Sequence, residues 1–176
     1  MERGTTDNAR LFVALWPDAQ VRAALQAASA QWRWQPGAAI IPADRLHLTL
    51  HFLGDLPRES IPELARALEL PRARCALTLD RAALWRGGVA VLEPSVVPAP
   101  LVELRRALGA ALHSVGLALE TRRWRPHVTL ARRANVKVPQ IAPIVWPLRG
   151  HVLVESRLSP RTSYEVVASF DLGWVA

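Results

Sequence analysis

A single cysteine, Cys75, in 176 residues excludes an internal disulfide and any metal site built from cysteines. Such sparing use suits a reducing cytosol. Lysine is almost missing too: Lys137 is the only one, and every other basic residue among the 22 is arginine. No apolar run approaches the roughly 20 residues that a membrane span needs. The amino-terminal stretch "MERGTTDNAR" is polar and leads into no apolar signal core. No Gly- or Ser-rich linker and no low-complexity tract divides the chain. A Gly-x-Ser-x-Gly elbow is lacking, which argues against a serine hydrolase. Gly87-Gly88 lacks the spacing of a phosphate-cradling loop and reads as a hairpin turn. The expectation is one domain over residues 1–176, cytoplasmic, off the membrane and monomeric.

What is present fits a folded domain. Apolar residues make up 51% of the chain, enough for a substantial core. The net charge is +7. Guanidinium forks match phosphate oxygens, so an arginine-rich surface favours phosphate. High-GC codon usage enriches arginine as well, so charge alone points only weakly to a polyanionic partner.

The pattern alternates strands with helices. "RLFVALWP" reads as a strand ended by Pro17, and Asp18–Trp34 as a helix with Asp18 as N-cap. "RLHLTLHFLGDL" is a second strand, and Pro57–Leu70 a second helix. "CALTLDRAALW" is a third strand with an irregularity near Ala82-Ala83, joined through "RGG" to "VAVLEP" as a hairpin. "PLVELRRALGAALHSVG" is an amphipathic helix ending at Gly116. "RRWRPHVTLAR" is a strand entered through Pro126. Asn135–Pro147 holds three prolines and reads as irregular. "GHVLVESRLS" and "YEVVASFDLGWV" are strands separated by the turn-like "SPRTS".

One pattern occurs twice. His47-Leu48-Thr49-Leu50 and His127-Val128-Thr129-Leu130 both lie on predicted strands. Five histidines and seven threonines in 176 residues give a chance expectation of only about 0.2 for one His-x-Thr. The repeat suggests two similar lobes facing each other. By strand alternation, Leu46, Leu48, Leu50 and Phe52 face the core, while His47, Thr49 and His51 share the other face. Two histidines can act as acid and base across one reacting group, because their ordinary pKa suits either role near neutrality. Each threonine hydroxyl can hydrogen-bond a phosphate oxygen. In-line displacement at phosphorus needs groups on opposite sides, which one such strand from each lobe provides.

The pair "HLTL" and "HVTL" resembles the signature of the 2H phosphoesterase superfamily. With the flanks "FVALWP", "RLHLTLHFLG", "RPHVTLAR" and "LVESRLSPRTSYEVVASFDL", it is similar to the bacterial and archaeal RNA 2′,3′-cyclic phosphodiesterases, formerly called 2′-5′ RNA ligases. The resemblance covers Leu11 to Leu172. It implies a bilobal α+β fold, with two antiparallel sheets and outer helices around a central cleft and a pseudo-two-fold axis. It implies opening of a 2′,3′-cyclic phosphate to a 2′-phosphate without metal or other cofactor, on RNA ends or small cyclic nucleotides. By position, His47 resembles the proton donor and His127 the proton acceptor. Thr49, Thr129 and Arg132 resemble phosphate-binding residues, and Phe52 a residue that touches the base or shapes the cleft. Many relatives carry glycines where this chain has "PRTS".

Two other readings remain open at this level. One is a zinc-dependent phosphodiesterase using His47, His51 and His127 as ligands. The other is a non-catalytic RNA-binding module that keeps the cleft. For His51 alone, a substrate-rim or solvent position is expected. His113 and His151 read as structural or surface residues, and Cys75 as a small core residue. Trp124 and the run Arg122–Arg125 adjoin the second motif and are candidates for contact with an RNA backbone.

Overall fold

The computed structural model describes residues 7–70, 75–158 and 162–171. In chain order these form β1 (Asn8–Leu15), α1 (Ala19–Ala30), β2 (Ala39–Ile40), β3 (Leu48–Pro57), α2 (Ile61–Ala67), β4 (Ala76–Leu79), β5 (Arg81–Trp85), β6 (Val89–Glu93), α3 (Ala99–Ser114), β7 (Val128–Arg132), β8 (Ile144–Pro147), β9 (Gly150–Arg157) and β10 (Ser163–Asp171). The fold is α+β with two antiparallel sheets, as expected. The large sheet runs β10-β9-β1-β3-β7-β6-β5, with β2 also paired to β7, and the small sheet pairs β4 with β8.

The seam of the large sheet matters most. β3 and β7 meet antiparallel at one residue pair, Leu48 with Val128. A single pair cannot hold two strands together along their length, so the two halves of the sheet diverge from it and leave a cleft. Antiparallel pairing relates its partners by a local two-fold axis. The pseudo-symmetry expected from the repeated motif therefore passes through this seam.

The helices cover the core face. Asp18 caps α1, its Oδ1 accepting from the Val21 N–H at 2.9 Å. Val21, Leu25 and Ala28 recur at helical spacing and are buried. On α3, Leu101, Leu104, Leu108 and Leu112 do the same. Gly116, at φ +86°, closes that helix: its N–H reaches the His113 carbonyl at 2.9 Å, and the Leu117 N–H reaches Leu112 at 3.1 Å. These helical side chains join Leu46, Leu48, Leu50, Val128 and Leu130 in one core. The other face of β1 and β9 carries a small separate cluster of Phe12, Ala14, Val152 and Val154, with Trp16 and Tyr164 packed against it.

Several elements differ from their sequence reading. α1 stops at Ala30 instead of Trp34, because Gln31 and Trp32 bond back three residues, to Ala28 and Ser29, and tighten the last turn. α2 is reduced to Ile61–Ala67 after a separate turn at Arg58–Ser60. The third strand breaks at Asp80, ahead of the expected irregularity, because its halves serve different sheets: β4 pairs β8, and β5 pairs β6. Asp80 holds the break, its carboxylate accepting from the N–H and the hydroxyl of Ser95. Strand β8 lies inside the stretch expected to be irregular. Its prolines bound or end it, and the intervening Trp146 is buried against the core. Residues 159–161 of the expected "SPRTS" turn, and the last strand beyond Asp171, lie outside the described residues. Among the described residues, no helix is long and apolar enough to cross a membrane.

Candidate active site

Both motif strands depart from alternation in the same way. Along Leu48–Phe52 and again along Val128–Arg132, burial reads buried, half-buried, buried, buried, exposed. The cause is a β-bulge after each threonine. On β3, Thr49 faces Ala14 and His51 faces Val13, so Leu50 is the extra residue. On β7, Thr129 faces Val91 and Ala131 faces Ala90, so Leu130 is the extra residue. Each bulge puts two consecutive side chains on the core face and returns the next one to the cleft. The next ones are Phe52 and Arg132.

This register overturns two sequence expectations. His51 does not share the face of His47. It is buried, only 8% exposed, and its Nε2 lies 2.8 Å from the Arg105 carbonyl on α3. A zinc site built from His47, His51 and His127 therefore lacks its third ligand in the cleft. Phe52 does not join Leu46, Leu48 and Leu50 in the core either. It is 41% exposed, with the Arg10 guanidinium 4.8 Å above its ring.

His47, Thr49, Phe52, His127, Thr129 and Arg132 all line one cleft of about 410 Å³. Arg10 and Arg45 line it as well, and among the described residues no carboxylate does, so its field favours an anion. The two histidines are held alike. Nδ1 of His47 lies 2.7 Å from the Arg45 carbonyl, and Nδ1 of His127 lies 2.7 Å from the Arg125 carbonyl. A neutral ring in that position donates from Nδ1, which leaves Nε2 free to exchange a proton with a ligand.

Their surroundings differ. The His47 ring is boxed by Phe12 at 4.9 Å, Trp16 at 5.6 Å and nearly parallel, and Tyr164 at 5.3 Å edge-on. Burial pushes its pKa below the ordinary histidine value, the hydrogen bond to Arg45 opposes this, and the charges of His127 and Arg132 add to the lowering. His127 packs on Trp85 at 4.4 Å. Burial lowers its pKa too; the hydrogen bond to Arg125 and the nearby Glu93 carboxylate favour its protonated form, while the charges of Arg125 and Arg132 oppose it. Glu93 is buried and held by the Trp85 Nε1–H at 3.3 Å and the Arg125 Nη2 at 3.2 Å.

Sequence reading missed Arg10, Phe12, Trp16, Trp85, Glu93 and Tyr164, which reach the site from β1 and its exit, β5, β6 and β10 and carry no local signal. Arg45 and Arg125 did have one: both motifs read Arg-x-His-x-Thr, and each arginine supplies the carbonyl that orients its histidine. Of the remaining histidines, His113 is exposed, and His151 is buried with Nε2 3.0 Å from the Leu68 carbonyl. Cys75 is half-buried against the core.

Residues 17–157 match the family model of the 2′-5′ RNA ligase superfamily. The chain is 34% identical over 180 residues to the RNA 2′,3′-cyclic phosphodiesterase of Thermus thermophilus, covering 93% of this chain and 90% of that one. It is 35% identical over 137 residues to the RNA 2′,3′-cyclic phosphodiesterase of Escherichia coli, covering 73% and 74%. Its fold is similar to the crystal structure of E. coli LigT complexed with 3′-AMP, with TM-score 0.84 and 28% identity, over 96% of this chain and all of that one.

Proposed function

The chain belongs to the 2′-5′ RNA ligase superfamily, and from that membership we propose that it is an RNA 2′,3′-cyclic phosphodiesterase, using its two motif histidines as acid and base without a metal ion. The substrate is RNA ending in a 2′,3′-cyclic phosphate, or the corresponding small cyclic nucleotide, and the product is a 2′-phosphomonoester. One observation carries the chemistry: two histidines, each with Nδ1 occupied by the carbonyl two residues earlier, line one arginine-rich cleft at a two-fold seam.

In the step, His127 Nε2 accepts a proton from water as the water oxygen bonds to phosphorus. The bond from phosphorus to the 3′ oxygen breaks, and His47 Nε2 gives that oxygen its proton. Each histidine reaches its oxygen at about 2.6–3.2 Å. The two then exchange protons with solvent and return to their starting states. Thr49 and Thr129 hydrogen-bond the non-bridging oxygens, Arg132 supplies a charge-assisted contact, and Phe52 offers a face to the base.

The unequal surroundings support this division of roles. An acid is stronger when its protonated form is poorly stabilised, and the burial of His47 does that. A base is stronger when its protonated form is favoured, and Glu93 works in that direction at His127 against burial and the charges of Arg125 and Arg132. The anionic substrate raises both pKa values when it binds, and the reactive state is the one in which His47 carries the proton and His127 does not. With a ribose 5′-hydroxyl in place of water, the same step makes a 2′-5′ linkage.

The protein works as a monomer in the cytosol, a compartment its lone Cys75 suits. The test is turnover of an RNA with a 2′,3′-cyclic end in excess chelator. Undiminished opening supports the reading, and loss of activity restored by zinc removes it.

A further inference from the structure

A second pocket, of about 260 Å³, adjoins the catalytic cleft and shares Thr49, Phe52 and His127 with it. Its other walls come from Leu50 and His51 on β3, Trp85 on β5, Arg105 on α3 and the segment Glu120–Arg125 that leads into the second motif. Four arginines face one acid here: Arg105, Arg122, Arg123 and Arg125 against Glu120. Two of them lie over indoles. The Arg105 guanidinium lies 4.9 Å from the Trp124 ring centre, and the Arg125 guanidinium 4.1 Å from that of Trp85. A guanidinium over an aromatic face can still present N–H donors to a phosphate. Arg105 is further fixed by its Nε–H bond to the Leu50 carbonyl at 3.2 Å. Trp124 is anchored to the motif strand by its Nε1–H bond to the Thr49 carbonyl at 3.1 Å. Arg122 and Arg123 are exposed at the rim. Arg122 pairs with Glu120, and Arg123 makes no hydrogen bond or ion pair among the described residues.

The chemistry of the substrate gives this pocket an occupant. A 2′,3′-cyclic phosphate is by nature the 3′ end of its chain, so all further RNA leaves the terminal nucleoside through its 5′ oxygen. The catalytic cleft holds the cyclic phosphate and its nucleoside. The next phosphodiester needs a cationic surface continuous with that cleft, and stacking surfaces suit its base.

We propose that the Trp85–Arg105–Trp124–Arg125 pocket, with Arg122 and Arg123 at its rim, binds the single-stranded RNA 5′ of the reacting nucleotide. It thereby makes an oligonucleotide a better substrate than a mononucleotide. This rests on the phosphodiesterase reading, and it predicts where substrate preference comes from.

The test compares an eight-nucleotide RNA ending in a 2′,3′-cyclic phosphate with a nucleoside 2′,3′-cyclic phosphate, for the wild type and an Arg122→Gln, Arg123→Gln double variant. Both changes lie on the exposed rim, so folding is not at stake. The wild type should show higher kcat/KM on the oligonucleotide. The double variant should lose about tenfold on the oligonucleotide and stay within about twofold on the mononucleotide. The slope of log kcat/KM against log salt for the oligonucleotide should flatten by about 0.7 for each phosphate that the variant no longer neutralises. Equal efficiency on both substrates, or an equal loss on both in the variant, overturns the proposal. Binding of the same RNA carrying a 2′-phosphate end, followed by fluorescence anisotropy, separates this claim from the reaction. If neither cyclic substrate turns over, the phosphodiesterase reading falls. The RNA pocket stands only if the double variant still weakens that binding about tenfold, and falls if it does not.

Discussion

If His47 is the acid and His127 the base, the two differ in one measurable way: only the acid is dispensable when the leaving group needs no proton. On a 2′,3′-cyclic phosphate the leaving group is a ribose alkoxide, which departs poorly without protonation. His47→Ala and His127→Ala should then each lower kcat by about 10²–10⁴-fold. At about 1.36 kcal/mol per decade, that is about 2.7–5.4 kcal/mol of barrier. A 3′-deoxynucleoside 2′-(p-nitrophenyl phosphate) keeps the same 2′ ester but loses a stable phenolate. On it, His47→Ala should lose no more than about tenfold, while His127→Ala keeps its full loss, because water must still be activated. The gap between the two substrates for His47→Ala is then about 10–10³-fold. Phenolate release read by absorbance gives the rates, and thermal melts confirm folding, which matters because the His47 ring packs against Phe12 and Tyr164. Rescue of His127→Ala instead would show that the roles are reversed. Equal losses on both substrates in both variants would refute acid–base division altogether.

Burial lowers the pKa of both histidines, so in the free enzyme the base is neutral, and the acid loses its proton, below the ordinary histidine range. The kcat/KM profile should be a bell with its optimum on the acid side of that range. The kcat bell should lie at higher pH, since bound phosphate raises both values; coincident bells would contradict this. Arg132→Ala should raise KM and lower kcat, with Arg132→Lys restoring part of the loss, because a point charge cannot form the fork. Wild-type kinetics in the alanine variant would remove Arg132 from the site. His51→Ala should lower Tm, since it deletes a buried ring bonded to the Arg105 carbonyl, yet leave kcat within about threefold. A loss comparable to His127→Ala would mean that the bulge at Leu50 does not turn His51 away.

Much of the site was legible because chemistry was written twice. His-x-Thr at two places on strands pointed to a paired cleft, and all six residues drawn from the motifs and their flanks line it. Strand alternation failed at His51 and Phe52 for one reason, the extra residue at Leu50. A bulge is set by pairing to a neighbouring strand, and nothing in "HLTLHF" distinguishes it from regular alternation. The same holds for Ala131 and Arg132 after Leu130. The helices were legible through leucine spacing and the Asp18 and Gly116 caps. Strand β8 was not, because its prolines read as breakers and its partner β4 lies 65 or more residues away in sequence. Glu93 was invisible as a site residue for a similar reason: only the pairing of β6 with β7, Leu92 opposite Val128, brings it towards His127.

The most direct test of the central claim is the identity of the product from an RNA with a 2′,3′-cyclic phosphate end, read by phosphorus-31 NMR for the wild type and for His47→Ala with His127→Ala combined. Protonation of the 3′ oxygen by His47 and attack by water from the side of His127 predict a 2′-phosphomonoester alone from the wild type. They predict no opening above background from the double variant. A 3′-phosphomonoester, or continued turnover without either imidazole, would contradict the account.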